Sequence, residues 1–361
     1  MGGQSLKTFA KISFISYTRA VGKNITIRDI AREAGVSIST VSRVLTGSAN
    51  VKDAKKKEIL RIIEKYDFQP NMLARSLIQT QTMQIGYIVA DICNPYYSAV
   101  FASCEKSANA RGYTLLMMDS FSDQKKEIEL LEKLERHQVD AIIMLGGSVD
   151  SNQPQTEFKE KLRSVNSRIP VIITGTMDGV DCPRVEINGE AAMQKLMTYL
   201  NGCGYKKLAL AGGKNEVSFT AWRREAFKAE LERFALPYYA QFDRPSDYDI
   251  DSGYTAACEI LSGQEKPDAI IAINDFVAVG ILKSLTEHGL RVPDDIGLVS
   301  FDNTYIATLL TPNLTSVAYD YDAFGETIIS LTIDRIEGRE TPGISYIDSE
   351  VVIRNSCRQL P

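Results

Sequence analysis

The sequence predicts a small all-α head joined to an α/β body made of two parallel-sheet subdomains. From Gln84 onward, apolar strands alternate with amphipathic helices at intervals of about 30 residues, as in linked βαβ units. The charge divides at the same place: residues 1–82 hold 14 Lys and Arg against six Asp and Glu, and residues 83–361 hold 27 against 40. A basic head on an acidic body indicates that the head alone contacts nucleic acid. A merely solvated basic face is the alternative.

The domain boundaries follow from this pattern. Residues 1–23 show no periodicity and are interpreted as a disordered extension, or as the result of a start codon assigned too early. Residues 24–69 form the helical head, residues 70–82 a hinge helix or linker, and residues 83–361 the body. A length of 361 residues exceeds what a single core usually supports, which agrees with several domains.

In the head, two short helices joined by a glycine turn are predicted over residues 25–45. Thr26 can cap the first helix, and Asp29 favours the same helix start. Gly35 permits a left-handed turn, and Ser37 can cap the second helix. This is helix-turn-helix geometry, in which the second helix enters the major groove of DNA. A helical hairpin without nucleic acid is the alternative.

The remaining elements are assigned from their apolar periodicity. The third head helix, Lys55–Tyr66, is expected to pack Ile59, Ile62 or Ile63, and Tyr66 beneath the hairpin. The predicted strands of the body are Ile85–Ala90, Tyr113–Met118, Ala141–Leu145, Val171–Thr174, Leu208–Ala211, Ala269–Ile273 and Ile296–Ser300. Its predicted helices are Tyr97–Ala110, Asp123–His137, Glu157–Ser167, Ala191–Leu200, Arg223–Phe234, Ser252–Leu261 and Phe276–Glu287.

Two α/β subdomains that face each other form a cleft, and open sheets bind ligands at the carboxyl ends of their strands. Six scattered cysteines and two histidines form no ligand cluster, so no metal site is predicted and reduced thiols are expected. Lys11 and Arg19 interrupt the mildly apolar residues 9–21, which argues against a signal peptide. No apolar run approaches the roughly 20 residues of a membrane span. A cytoplasmic protein is therefore expected.

The run Asp-Ile-Ala-x-x-Ala-Gly-Val-Ser-x-x-Thr-Val-Ser-Arg-Val-Leu at residues 29–45 resembles the head of the LacI/GalR (lactose-repressor) family. The resemblance covers nearly the whole chain and implies a sequence-specific DNA-binding regulator. It places Ile38, Ser39 and Arg43 at base-reading positions, where Arg43 can pair with a guanine and Ile38 can contact a thymine methyl. The DNA-binding residues that it implies are Thr26, Ser37, Ile38, Ser39, Thr40, Ser42, Arg43, Asn71, Ala74, Arg75 and Leu77.

Residues Pro70–Leu77 resemble the hinge motif of the same family. Because so short a helix is marginal alone in water, it is expected to order only when two copies meet on DNA. Leu77 matches the leucine that family members insert into the minor groove, where it kinks the duplex. A linker leucine packed on its own domain is the alternative.

The resemblance also implies a core like that of periplasmic binding proteins, with an effector cleft. The implied N-subdomain comprises residues 83–187 and 318–344, and the C-subdomain residues 188–317 and 345–361. The chain would cross between them near Ile187–Asn188, Val317–Tyr321 and Ile344. The implied effector-binding residues are Asp91, Asn94, Tyr96, Arg223, Tyr248, Asn274, Asp302 and Tyr321. Asn, Asp and Arg side chains can exchange hydrogen bonds with the hydroxyls of a polyol, and the resemblance implies that Tyr248 and Tyr321 stack on its apolar face.

Several of these residues have structural alternatives. These are helix capping by Asp275, a turn at Asp302, a surface salt bridge for Arg223, and core packing for Tyr96, Tyr97 and Trp222. Gly175 and Leu145 stand where the lactose repressor carries an aspartate and an asparagine, so the resemblance does not identify the effector.

The predicted function is a repressor whose operator affinity is controlled by a small polar effector, a sugar or sugar derivative. One alternative is co-repression by a purine-like ligand or by a phosphocarrier protein. An alternative of another class is a sugar-binding protein without a regulatory role. The sequence has no phosphate loop, nucleophile elbow or paired carboxylates with a base, so neither enzyme activity nor a cofactor is predicted. The tail Val351–Pro361 lacks leucine heptads, so a homodimer on a pseudo-palindromic double-stranded operator is expected.

Overall fold

The chain falls into two compact units, Met1–Thr80 and Gln81–Pro361, which are described separately. The computed structural model describes residues 25–45, 51–66, 68, 81–177 and 179–360. The predicted extension and nearly all of the predicted hinge segment lie outside the described residues, so both stay predictions.

The first unit contains three described helices, α1 (Ile27–Glu33), α2 (Ile38–Leu45) and α3 (Asp53–Lys65). A capping box starts α1, because the Thr26 N–H donates to Asp29 Oδ2 at 3.0 Å. Gly35 has a φ of 62°, the left-handed conformation predicted for the turn. At the start of α2, Ser37 Oγ accepts from the Thr40 N–H at 3.2 Å. The two predicted helix starts are therefore observed.

Each head helix buries one apolar face in a common core. Its buried members are Ile30, Ala31, Val41, Val44, Ile59 and Ile62. Tyr66 was predicted to join them, but it is exposed, with the Lys65 ammonium 4.6 Å from its ring centroid. It directly follows the last residue of α3, where the helical register no longer directs side chains into the core.

The second unit alternates strands and helices along its whole length. Its strands are β1 (Gln84–Val89), β2 (Thr114–Asp119), β3 (Ala141–Leu145), β4 (Val171–Ile173), β5 (Arg184–Ile187), β6 (Leu208–Ala211), β7 (Asp243–Arg244), β8 (Ala269–Ala272), β9 (Gly297–Asp302), β10 (Thr315–Tyr319), β11 (Ile344–Ile347) and β12 (Ser349–Val352). Its α-helices are α4 (Pro95–Ala110), α5 (Gln124–Arg136), α6 (Thr156–Asn166), α7 (Gly189–Gly202), α8 (Ser218–Arg233), α9 (Ile250–Ser262), α10 (Asp275–Glu287), α11 (Ile306–Leu309) and α12 (Tyr321–Ile336).

Two sheets divide this unit into an N-lobe and a C-lobe. The N-lobe sheet has the order β2-β1-β3-β4-β5-β11, and all its pairs are parallel. The C-lobe sheet has the order β7-β6-β8-β9-β10-β12, in which β12 alone pairs antiparallel. Buried apolar clusters include residues of both sheets, so helices cover both faces of each sheet. The predicted fold class, a helix-turn-helix head with a two-lobed parallel α/β core, is confirmed.

The chain crosses between the lobes three times. The first crossing follows Ile187 and the second follows Tyr319, within the predicted ranges. The third was predicted near Ile344, but it lies at Asp348, because Ile344–Ile347 still pair with β5 in the N-lobe. Short edge strands of this kind carry too few residues for their periodicity to reveal which sheet they join.

One helix boundary differs in a way that affects the site. Helix α8 begins at Ser218, five residues before the predicted start at Arg223. Val217 stands at the capping position, and its apolar side chain gives no sequence signal of a helix start. Arg223 therefore lies inside a helix that packs against the sheet.

Helices α9 and α10 approach each other closely through Gly253 and Gly280. A Cβ on Gly280 would overlap the backbone of α9 at Ile250 and Tyr254. We expect Gly280→Ala to lower the free energy of unfolding by about 1–3 kcal/mol through overpacking, which outweighs the gain in helix propensity. Urea denaturation measures the change.

Gly343→Ala is the matched control, because a Cβ there would meet open space. Its unfolding free energy should stay within about 0.5 kcal/mol of wild type. Equal stabilities for both variants would contradict the close helix contact.

Candidate functional site

The exposed face of α2 is the first candidate site. Ser37, Ile38, Ser39 and Arg43 are exposed, whereas Val41 and Val44 face the core. Ile38 is an apolar side chain that is 44% exposed. Ser37 Oγ lies 2.8 Å from both Ser39 Oγ and the hydroxyl of the half-buried Thr40. A convex helix face with hydroxyls, one arginine and an apolar tip has the residue types that read base edges in a major groove.

The other residues predicted to bind DNA are placed as follows. Ser42 is half-buried, and Thr26 is exposed but engaged in the capping box of α1. Asn71, Ala74, Arg75 and Leu77 lie outside the described residues. The base-reading and wedge roles all remain predictions.

A cavity of about 1020 Å³ between the N-lobe and the C-lobe is the second candidate site. It follows the carboxyl ends of β1 and β3 in one sheet and of β6 and β8 in the other, where the strand order of each sheet reverses. The predicted effector residues that line it are Asp91, Asn94, Tyr96, Arg223, Tyr248, Asn274 and Asp302. Tyr321 lies behind this surface, where its hydroxyl donates to the Asp302 carbonyl at 2.8 Å.

On the N-lobe side, the loop after β1 supplies polar groups. Asn94 Oδ1 accepts from the Tyr96 N–H at 3.0 Å and so caps α4, and the exposed Asp91 accepts from the Cys93 N–H at 2.9 Å. Tyr96 is half-buried and packs against Tyr97, with ring centroids 5.2 Å apart. Tyr96 therefore lines the cavity and also packs against the core, so effector binding and core packing, the two roles considered for this residue, are compatible.

Arg223 is buried on the C-lobe side, where it is 2% exposed. Its guanidinium donates to the Ile273 carbonyl and to the Tyr319 hydroxyl, each at 3.0 Å. It lies between two aromatic rings, 4.2 Å from the centroid of Phe219 and 3.7 Å from that of Phe301. Its Nε is buried without a hydrogen-bond partner. A surface salt bridge, the alternative for this residue, is thereby wrong.

The residue that caps α10 is Asn274, not Asp275. Asn274 Oδ1 accepts from the Val277 N–H at 2.8 Å, and its amide donates to the Tyr248 carbonyl at 3.0 Å. The Tyr248 hydroxyl lies 2.8 Å from Thr220 Oγ1. This chain of hydrogen bonds fixes the amide and the phenol that face the cavity.

Asp275 instead holds the loop after β9. Its buried carboxylate accepts from the hydroxyls of Ser300 and Ser316, and from the backbone N–H and hydroxyl of Thr304 at 2.6 and 2.8 Å. Asp302, the last residue of β9, lines the cavity and has a φ of 94°, a conformation that costs a non-glycine residue energy. We infer that the Asp275 network supports this strained backbone at the cavity wall.

Sequence reasoning missed Asp150, which lines the N-lobe side of the cavity after β3. A Cβ on Gly175 would overlap the Asp150 carboxylate and the Val149 carbonyl. The carboxylate of Asp150 therefore fills the space into which a side chain at Gly175 would project. The signal was present in the sequence, because the paired glycines Gly146 and Gly147 mark a tight turn from a strand end toward this acid.

Two acids of the cavity have raised pKa values. Burial, with repulsion from Glu127 and Glu186, raises the pKa of Asp150 to about 7. Burial and repulsion from Asp275 raise the pKa of Asp302 to about 8, although Arg223 lowers it in part.

Stability should therefore decrease as the pH rises. These two acids bind more protons in the folded than in the unfolded chain between the ordinary Asp pKa of 3.8 and about 8, so their contribution to the free energy of unfolding falls across that window. Urea denaturation at several pH values should show a smaller decrease for the double variant Asp150→Asn, Asp302→Asn. The exposed Asp322→Asn should follow wild type. Parallel profiles for wild type and the double variant would refute the assignment.

The comparisons with known proteins agree with this architecture. Residues 26–71 match the family described as bacterial regulatory proteins, lacI family, and residues 197–357 match a periplasmic binding protein-like domain. The chain is 33% identical over 331 residues to catabolite control protein A of Priestia megaterium, covering 91% of this chain and 96% of that protein. It is 30% identical to the ribose operon repressor of Escherichia coli, covering 86% of this chain and 93% of that protein.

Solved structures show the same fold. The lac repressor dimer bound to operator and the anti-inducer ONPF superposes with a TM-score of 0.82 at 22% identity, covering 92% of this chain and 99% of that one. The complex of the transcriptional regulator CelR with cellobiose superposes with a TM-score of 0.69 at 23% identity, covering 92% of this chain and 99% of that one. Within the described ranges, no helix has the length and apolar character needed to cross a membrane.

Proposed function

This chain belongs to the lacI family of bacterial regulatory proteins, and we propose that it is a transcriptional repressor controlled by a small polar effector. The observation that carries the proposal is the family match over residues 26–71, together with the exposed polar face of α2. A protein that only stores or carries sugar has no use for such a head. We propose no catalytic role, and we place the protein in the cytoplasm, where its operator DNA lies.

The DNA contact follows from the exposed face of α2. Arg43 would read a guanine, Ser39 would supply a hydroxyl, and Ile38 would contact a thymine methyl. Asn71, Ala74, Arg75 and Leu77 would add hinge contacts in the minor groove, as the family resemblance implies. Two copies of the chain would bind the two half-sites of a pseudo-palindrome. The lac repressor structure of the same fold is a dimer bound to operator, which supports this proposal.

The effector would bind in the cavity between the lobes. Arg223, Asn274 and Asp302 would exchange hydrogen bonds with hydroxyls of a sugar or sugar derivative, and Tyr248 would contact its apolar face. Because the cavity lies between two lobes that are joined by three chain crossings, a ligand that binds one closure better shifts the population toward it. That shift would change the affinity for the operator.

Selection of bound fragments from a random DNA pool tests the proposal. We expect a pseudo-palindrome of roughly 14–20 base pairs, with half-site centres about one helical turn apart. Arg43→Ala should relax the preference at one base of each half-site and cost about 1–3 kcal/mol of binding free energy. A pool without any enriched sequence would contradict sequence-specific regulation.

A further inference from the structure

The cavity does not end at the strand ends. It continues along one face of α8 toward the chain crossings, because residues spaced three and four apart on that helix all line it. We call this extension the α8 branch; its lining residues include Ile187, Gly189, Phe219, Trp222, Ala226 and Tyr346. A Cβ on Gly189 would lie in ordinary contact with the Phe219 ring, at 3.4 Å, so these two lining residues are neighbours in the branch.

Two large aromatic side chains of this branch are exposed. Trp222 on α8 is 54% exposed, and Tyr346 on β11 is 60% exposed. Trp222 is the residue before Arg223 on α8, and both residues line the same cavity. An exposed ring in a polar cavity is the usual platform for the apolar face of a sugar, because the ring and the sugar C–H groups exclude water from each other.

The size of the cavity exceeds the need of one sugar unit. At about 1020 Å³ it reaches the upper limit of small-ligand pockets, which hold drug-sized molecules in roughly 300–1,000 Å³. Arg223, Asn274 and Asp302 lie at the strand ends and can serve one sugar ring, which leaves the α8 branch for further atoms of the ligand.

The charge of the lining opposes an anionic ligand. Among the described residues that line the cavity, ten have carboxyl groups and two have cationic groups. Four of the acids, Glu186, Glu225, Glu230 and Asp247, are in ion pairs, the last of them with Lys214. Two more, Asp150 and Asp302, have raised pKa values, so four described lining acids remain against the cation Arg223. Carboxylates accept hydrogen bonds from hydroxyls but repel phosphate and carboxylate groups.

We propose that the effector is an uncharged oligosaccharide of at least two units. One unit binds at the strand ends beside Arg223 and Asp302, and the next stacks on Trp222 in the α8 branch. This inference rests on the proposed function, since it names the class of ligand that the same cavity takes.

Trp222 is also the single tryptophan of the chain, so its fluorescence reports on the α8 branch alone. The full-length protein is titrated by calorimetry with glucose, galactose and fructose, with neutral disaccharides of these units, and with the phosphate monoester of glucose. We expect a disaccharide that binds roughly fivefold to tenfold more tightly than its units and shifts the Trp222 emission to shorter wavelength. The phosphate ester should bind more weakly than glucose.

Three variants locate the effect. Trp222→Ala should remove the advantage of the disaccharide and leave the affinity for the single units unchanged, and Trp222→Phe should restore most of it. Phe121→Ala removes an aromatic side chain that is 74% exposed outside the lining, and it should bind every sugar as wild type does.

The outcomes separate this inference from the proposed function. The oligosaccharide proposal would be wrong if a monosaccharide or a phosphate ester bound as tightly as any disaccharide and left the Trp222 emission unchanged. If Arg223→Ala also weakened the binding of that ligand, the cavity would still be the effector site. The absence of binding by every neutral disaccharide at millimolar concentration would also overturn it. Operator selection tests the regulator independently of either result.

Discussion

Raising the monovalent salt concentration from about 50 to 200 mM should weaken operator binding by roughly a thousandfold or more, if a dimer contacts six to ten phosphates. The physical reason is the release of counterions from DNA, which scales with the number of phosphates that Lys and Arg neutralise. The first 82 residues, which comprise the head with its N-terminal extension and the hinge segment, carry 14 such side chains against six acids, so this part of the chain supplies the contacts. Fluorescence anisotropy with labelled operator measures the slope of log affinity against log salt.

Two controls interpret this slope. Effector binding to the same full-length protein should change little with salt, because an uncharged ligand releases no counterions. Random DNA should show a salt slope similar to that of the operator, but a lower affinity at every concentration. Operator binding that does not depend on salt would exclude the basic head as the DNA contact.

Arg223→Ala should weaken effector binding by about 10- to 150-fold, the loss that corresponds to a charge-assisted hydrogen bond of roughly 1.5–3 kcal/mol. The guanidinium is already oriented by Ile273 and Tyr319 and clamped between aromatic rings, so it meets a ligand without reorganisation. Arg223→Lys should lose most of the same affinity, since an ammonium cannot reproduce the planar fork. Calorimetry with the identified effector measures both.

The regulatory outcome reveals the sign of control. If the effector is an inducer, Arg223→Ala should bind the operator without effector and fail to release it when effector is added. If the effector is a co-repressor, the variant should fail to bind the operator at ordinary effector concentrations. A folded variant that titrates the effector like wild type would show that Arg223 has no role in binding.

Arg224→Ala is the matched control for this experiment. Arg224 is the next residue on α8 and is equally buried, but it pairs with Asp243 and the Gly212 carbonyl rather than lining the cavity. Its loss should lower the stability by leaving the Asp243 carboxylate without its cationic partner, while the folded fraction keeps its effector affinity.

Much of the fold was readable from the sequence because its elements are long and buried. Strands such as Ala141–Leu145 are continuous apolar runs, and helices such as Gln124–Arg136 begin at a capping aspartate. Strands β5, β7, β10, β11 and β12 and helices α11 and α12 were not predicted. Strands β5, β7, β11 and β12 have four residues or fewer and include polar residues, so their own pattern does not distinguish a strand from a loop.

The candidate site was predicted less completely, for a reason that lies in tertiary structure. Residues at or just after the carboxyl ends of strands, such as Asp91, Asn274 and Asp302, are identifiable because parallel strands end at a common edge. Asp150 reaches the cavity through a turn of 3-10 helix that begins at the glycine pair Gly146 and Gly147. Trp222 reaches it through the early start of α8, which has no sequence signal. Tyr321 was assigned a stacking role by resemblance, yet it lies behind Asp302 and supports its backbone.

The three crossings between the lobes also set an order for synthesis on the ribosome. The N-lobe sheet begins at Gln84, but its core includes Phe324 and Ile328 of α12 and Ile347 of β11, which are made after nearly the whole C-lobe. At ordinary translation rates this delay is on the order of ten seconds. During that time the nascent N-lobe exposes the apolar surface that α12 later covers, while the C-lobe can already close its own sheet except for β12. The half-made protein is thus most vulnerable to aggregation on its first-synthesised lobe, and chaperone binding to the nascent chain would be concentrated there.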